Sequence, residues 1–293
     1  MPAISTKGLA PPFVLGIDLG TSSARAIIFD SLGRKVEGAE SRVAYRMTAT
    51  PDGGVEMDAD RLIEIVSQAI DEALDSADCK IRAVGLSTFW HGLMGVDAIG
   101  RAATPLYSWN DTRAARAARE LQGEMDELKL HQRTGCFLHA SYWPAKLAWL
   151  RRDAPEVHSK VKRWMSAGEY FYLRLFNRAV ASVSMASATG LFDQNECRWD
   201  GELLSHLKIA PGDLPQIDEQ GAGLAGLPRE YANRWPLLAE ALWFPAVGDG
   251  ACANIGSGCV TADRFALTLG TSGAVRALWK AQRVSVPWGL WCY

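Results

Sequence analysis

Hydrophobic and polar positions along this chain fall into blocks that switch between two periods. Residues 13–18, "FVLGID", are almost continuously apolar, the pattern of a strand covered on both faces. A short turn separates them from "RAIIFD" at 25–30, and a turn at Gly33 leads to "KVEGAESRVAY" at 35–45. Three successive strands joined by tight turns are therefore predicted. The period then changes. In 60–75, "DRLIEIVSQAIDEALD", Leu62, Ile63, Val66, Ala69, Ile70, Ala73 and Leu74 share one helical face, with Asp58 or Asp60 available as a cap. Strands are predicted again at 81–88 and 92–102. Helices are predicted at 111–130, 144–152, 168–176 and 199–209, and a final strand pair at 264–270 and 274–280. Strands first and alternating elements afterwards point to an α/β fold.

Within this pattern six residues recur with one change: "LGTSSA" at 19–24 and "LGTSGA" at 269–274. Each copy separates two apolar strands. A glycine there lets the backbone approach an anion, and successive amides with hydroxyl side chains form a cradle for it. In the first copy the candidates are Gly20, Thr21, Ser22 and Ser23, with Arg25 supplying positive charge; in the second they are Gly270, Thr271 and Ser272. One copy alone reads equally well as an ordinary Gly–Ser hairpin. Two copies can face each other across a cleft and hold a polyphosphate. Asp18, at the strand end, suits a hydrated Mg²⁺.

Other segments add chemistry. "VGDGACANIGSG" places Asp249 in a glycine-flanked turn before a run of tiny side chains. Such a carboxylate can accept a proton from a hydroxyl nucleophile, or can simply cap the helix that follows. "STFWHGLM" and "YSWNDTRA" mix rings with polar groups. Trp90, His91, Trp109, Asp111 and Arg113 could stack on the carbon skeleton of a polyol and read its hydroxyls. The plainer alternative is that the tryptophans are core and Asp111 caps the helix after it. "GAGLAG" at 221–226 matches a dinucleotide fingerprint by letters, but no apolar strand precedes it and Pro228 follows it.

Composition narrows the field. The chain of 293 residues has 48% hydrophobic and 22% charged residues, enough to bury a large core, and its formal charge is −2. Neither a nucleic acid nor a membrane surface is an expected partner of such a chain. The N-terminus lacks the features of a signal peptide, and no apolar run approaches a membrane span. The six cysteines contain no CxxC pair and the five histidines no HxxxH pair, which fits reduced thiols in a cytoplasmic protein without a His-based metal site.

The ordered set "GIDLGTSSARAIIFD", "WHGLMGVD…GRAATPLYSWNDTRA", "GDGACANIGSG" and "LTLGTSGAVR" resembles the FGGY carbohydrate kinases. That resemblance implies an actin-like ATPase (ribonuclease H-like) fold and phosphorylation of a sugar or sugar acid by ATP with Mg²⁺. It implies Asp249 as general base and Thr21, Ser22, Ser23 and Arg25 on the ATP phosphates, with Thr271 acting from the other lobe. Asp18 would serve the Mg²⁺ site, and His91 and Asp111 the sugar. "WHG" with "SWNDTRA" looks closer to gluconokinase-like members, with Arg113 or His91 as the cation for a gluconate carboxylate; a pentulose such as xylulose is the next expectation. A non-catalytic nucleotide switch of the actin or Hsp70 type is the alternative.

The expected organisation is a flexible tail at 1–12, an N-terminal domain at 13–243 and the beginning of a second domain at 244–293. The members it resembles run to about twice this size. The expectation is therefore an N-terminal portion with little or no kinase activity by itself, whose last hairpin leaves an apolar edge for another chain, a homo-oligomer included.

Overall fold

The computed structural model describes residues 8–75, 77–218, 221–269 and 273–293. Three strands open the fold, β1 (Phe13–Leu19), β2 (Ser23–Phe29) and β3 (Lys35–Ala44), each antiparallel to the one before. Helix α1 (Ala59–Leu74) follows, its first turn capped by the Asp58 carboxylate, which accepts from the Arg61 amide. Leu62, Ile63, Val66, Ala69, Ile70 and Ala73 form its buried stripe against β2 and β3. Each large aliphatic of that stripe contributes about 1.5–3 kcal/mol. Strand β4 (Ile81–Thr88) then returns parallel to β1, as the helical crossover requires.

Beyond β4 the chain leaves the sheet for a largely helical region and re-enters it only near residue 242. In that region lie α2 (Trp143–Asp153) and α3 (Ala167–Phe176). α3 begins with a capping box between Ser166 and Glu169. Strand β5 (Leu242–Gly248) re-enters parallel to β4, giving the order β3-β2-β1-β4-β5. Helix α4 (Asp249–Gly256) starts where β5 stops. Among the described residues, β6 (Phe265–Leu269) and β7 (Gly273–Ala277) pair only with each other.

Several sequence expectations are refined here. β1 is not covered on both faces: Phe13, Leu15, Ile17 and Leu19 are buried while the alternate residues are half-buried, and Asp18 lies on the half-open side. The helix expected over 111–130 is two, Ala115–Glu124 and Glu127–Thr134, because Asp126 caps a new helix by accepting from the Lys129 amide. Of the strand expected over 92–102, Met94–Val96 pairs with Arg163–Met165, Leu93 bridges to Tyr107 and Val96 to Ala102; Asp97 to Arg101 is a turn. β5 runs straight through the 243/244 boundary expected between domains. Phe244, Val247 and Gly248 pair with Gly85, Ser87 and Thr88.

Among the described residues, two small hydrophobic centres accompany two large ones. One fills the space between the sheet, α1 and α3, around Leu15, Ile17, Val66, Ile70, Phe171 and Trp243. The other gathers on α2, with Trp143, Leu147, Leu150, Trp164, Leu203 and Leu207. The last ten residues run back along the helical region, and Tyr293 packs against the first centre. Val284 exchanges two hydrogen bonds with Asn195, the Leu290 carbonyl lies 2.8 Å from His131 Nε2, and Trp288 and Trp291 stand edge-on to Phe137. Among the described residues, no helix is long and apolar enough to cross a membrane.

Candidate active site

The sheet register gathers the candidate residues. Leu19 pairs with Thr88 and Thr88 with Gly248, so β1, β4 and β5 end on one row. In open parallel sheets ligands bind beyond such carboxyl ends. Asp18 and the Gly20 turn, the Trp90–His91 loop, and Asp249 lie at or just past this row.

At the first turn, the Gly20 amide donates to the Ser23 carbonyl at 3.1 Å, and Thr21 and Ser22 are exposed. Ser23 is buried instead, its hydroxyl accepting from Arg42 Nε at 3.4 Å. Arg25 pairs with Asp18 across the hairpin at 3.3 Å, both side chains partly open to solvent. Tyr45, which no sequence pattern singles out, braces the turn: its hydroxyl donates to the Gly20 carbonyl and its amide to the Ser22 carbonyl. Gly270, Thr271 and Ser272 lie outside the described residues.

Asp249 is the first residue of α4, and Gly248 occupies the cap position. The carboxylate takes a hydrogen bond from the next amide, Gly250, at 2.7 Å, so it does not close the helix end as a capping residue would. It is open to solvent on one side and crowded on the other. Desolvation pushes its pKa up, Asp18 adds to the rise, and Arg276 opposes it. Trp90 forms the floor of this turn. A Cβ on Gly248 would fall 1.8 Å from the Trp90 ring, and one on Gly250 would fall 2.4 Å from it. The Trp90 indole donates to the Ser184 carbonyl at 3.0 Å, and the Ser184 hydroxyl accepts from the Gly248 amide at 3.2 Å. Trp90 is thus both buried and essential to how Asp249 is presented.

Arg276 on β7 is the second residue that sequence reasoning missed. Its Nε would lie 2.8 Å from a Cβ on Gly250, and its backbone carbonyl accepts from Asn254 of α4 at 3.1 Å. A signal existed: an arginine follows each copy of the repeated turn, in "SSAR" and "SGAVR".

His91 adopts φ 66°, the left-handed region that side chains other than glycine rarely occupy. Its Nδ1 lies 2.6 Å from the Ala188 carbonyl, and its ring meets Tyr142 at 4.7 Å and Tyr293 at 5.2 Å. Burial pulls its pKa down to about 4. The imidazole is therefore neutral at pH 7, with Nδ1–H donating to the carbonyl and Nε2 left as an acceptor. Asp111 and Arg113 form a buried pair behind this loop. Asp111 is 2% exposed and takes hydrogen bonds from the amides of Val55 and Arg113 and from the Arg113 guanidinium at 2.6 Å. Arg113 also reaches Glu56 at 2.7 Å and lies over Trp149. It does not cap the Ala115–Glu124 helix; it fastens residues 53–57 to 107–113. Trp109 is exposed in the same turn. Neither His91, which is neutral, nor Arg113, which is engaged, offers an uncommitted positive charge.

The donor set fits a phosphate group carrying Mg²⁺. Thr21 and Ser22 are exposed on a glycine turn, and Asp18 is near enough to Asp249 for its charge to raise the Asp249 pKa. A hydrated Mg²⁺ needs only one or two carboxylates beside phosphate oxygens. No group of three or more His, Cys, Asp or Glu side chains able to hold a metal occurs among the described residues.

Residues 13–256 match the profile of the FGGY family of carbohydrate kinases, N-terminal domain. This chain belongs to the FGGY family. It is 26% identical over 282 residues to the gluconokinase of Bacillus subtilis, covering 96% of this chain and 55% of that protein. It is 31% identical over 273 residues to the xylulose kinase of Streptomyces coelicolor, covering 91% and 54%. The solved gluconate kinase of Lactobacillus acidophilus superposes with a TM-score of 0.86 at 27% identity, over 90% of this chain and 54% of that one. The fold is thus the actin-like ATPase fold of this family, and the chain spans about half the length of the curated relatives it matches.

Proposed function

We propose that this FGGY chain carries the phosphate-turn and sugar-binding half of an ATP-dependent carbohydrate kinase, with Asp249 as the general base. The observation that carries the reading is the common row at which β1, β4 and β5 end. The Gly20 turn, the Trp90–His91 loop and Asp249, whose pKa is raised, follow at or just past this row, which supports reading them together. Thr21, Ser22 and Arg25 hold phosphate oxygens. Trp90, His91 and Tyr142 face the sugar, whose hydroxyl proton passes to Asp249 as the phosphoryl group is transferred. Mg²⁺, held near Asp18, would neutralise charge on the phosphates. Thr271 would contact them from the second hairpin.

Gluconate is the proposed substrate, in line with the gluconokinase relatives. One observation favours a neutral pentulose such as xylulose instead: His91 is uncharged and Arg113 is engaged by Asp111 and Glu56. Thermal melting of the chain with gluconate, xylulose and glycerol separates the two. A ligand at a hundred times its dissociation constant adds about 2.7 kcal/mol, which raises the melting midpoint by roughly 5 °C in a domain of this size. No shift with any polyol at tens of millimolar would defeat the carbohydrate reading.

A further inference from the structure

Lys146 is 1% exposed, on the first turn of α2, and forms no salt bridge with a carboxylate among the described residues. Its Nζ donates to two main-chain oxygens, those of His91 at 2.8 Å and Ser108 at 2.7 Å. One of these belongs to the loop that carries Trp90 and His91, the other to the turn that carries Trp109, Asp111 and Arg113. The neighbouring Trp143 indole donates to the Gly92 carbonyl at 3.1 Å. Two consecutive carbonyls of the His91 turn are therefore held by side chains from the start of one helix.

We propose that Lys146 is a positioning residue for the carbohydrate pocket: its Nζ fixes the left-handed His91 turn and its distance from the 107–113 turn. A left-handed residue other than glycine costs about 1–2 kcal/mol and persists only where its surroundings over-determine it. At His91 the restraints are the Ala188 carbonyl on the ring and Lys146 on the backbone. Burying a lysine is costly and filling the space is not a sufficient reason for one, since methionine would fill it. What lysine adds is two N–H donors for two carbonyls. Burial draws the Lys146 pKa down to about 7, yet the neutral amine also has two N–H bonds, so the clamp holds on either side of that value. The titratable and charged groups around His91 are Lys146, His139 and the phenols of Tyr142 and Tyr293; Asp111 and Arg113 act on Lys146.

The inference rests on the carbohydrate reading only for its purpose, and the experiment keeps the two apart. Histidine ring ¹⁵N spectra of the whole chain between pH 4 and 8 report the tautomer of His91, with His131 and His206 as internal references. In the unaltered chain His91 should show the single Nδ1–H form down to about pH 5. In Lys146→Met the two references should stay in place. His91 should show mixed tautomers and a titration at higher pH, and affinity for any polyol that binds should fall about tenfold. A folded Lys146→Met chain with unchanged His91 signals overturns the role. If that variant does not fold, Lys146→Leu, which likewise keeps an apolar stem and no donor, is measured, and an unchanged His91 in it overturns the role equally. Absence of polyol binding in the unaltered chain defeats the carbohydrate reading and leaves the His91 result to decide on Lys146.

Discussion

Asp249 is held at a cost to the fold. Its pKa is raised in the native state, so between the ordinary aspartate value and the raised one the folded chain binds more protons than the unfolded chain. Stability therefore falls as pH rises through that window, and at pH 7 the ionised group is a burden. Asp249→Asn should melt at a higher temperature than the native chain while lowering phosphoryl transfer about 10²- to 10⁴-fold. A melting curve and a coupled ATP assay, run in whichever form of the protein turns over, check the two halves. Carboxyl ¹³C titration should find Asp249 above the usual range and lower in Asp18→Asn, since Asp18 contributes to the rise. His91 runs the other way. Its folded pKa lies near 4 against 6.5 when free, so its contribution is complete above 6.5 and lost as pH falls toward 4. At most about 3 kcal/mol is involved. Urea unfolding at pH 7 and 4.5 should show the loss, and His91→Asn, which tolerates the left-handed region, should show less of it.

At the level of elements, the junction of β5 and α4 depends on two glycines against which the Trp90 ring packs too closely to admit a Cβ. Gly248→Ala drives a methyl into the ring and should destabilise by about 1–3 kcal/mol; Gly256→Ala, where a Cβ meets nothing within 4 Å, is the control by chemical denaturation. β1 and β4 were legible in sequence as apolar runs, whereas no strand is predicted over 242–248, where β5 lies. Asp249 was legible too, as a carboxylate flanked by glycines. What could not be read is which neighbours each residue meets. Asp111 and Arg113 look like ligand readers by spacing, and only the fold brings Glu56 and Val55 to close them into a buried pair. Tyr45, Lys146 and Ser184 carry no local signal, since each acts through a backbone group far away in sequence. The break at Met125–Asp126 was missed because apolar periodicity continues across it, while a single aspartate restarts the helix.

Over the whole molecule, the sheet core and the α2 core meet through polar ties from Lys146 and Trp143 to the His91–Gly92 turn. Damage to one core should therefore reach the site in the other. Leu147→Ala, wholly within the α2 centre, should cost about 2–5 kcal/mol and should broaden the His91 ring signals although it touches no candidate site residue. Unchanged signals in a folded variant would show the cores to be independent. The returning segment bears on the same pocket. Tyr293 places its hydroxyl 2.9 Å from that of Tyr142 and its ring against Trp90 and His91. If the proposed polyol binds there, it would have to displace an occupant already offering one hydroxyl and one apolar face, and its measured affinity would be the intrinsic one scaled by the fraction of molecules in which that phenol is out of the way.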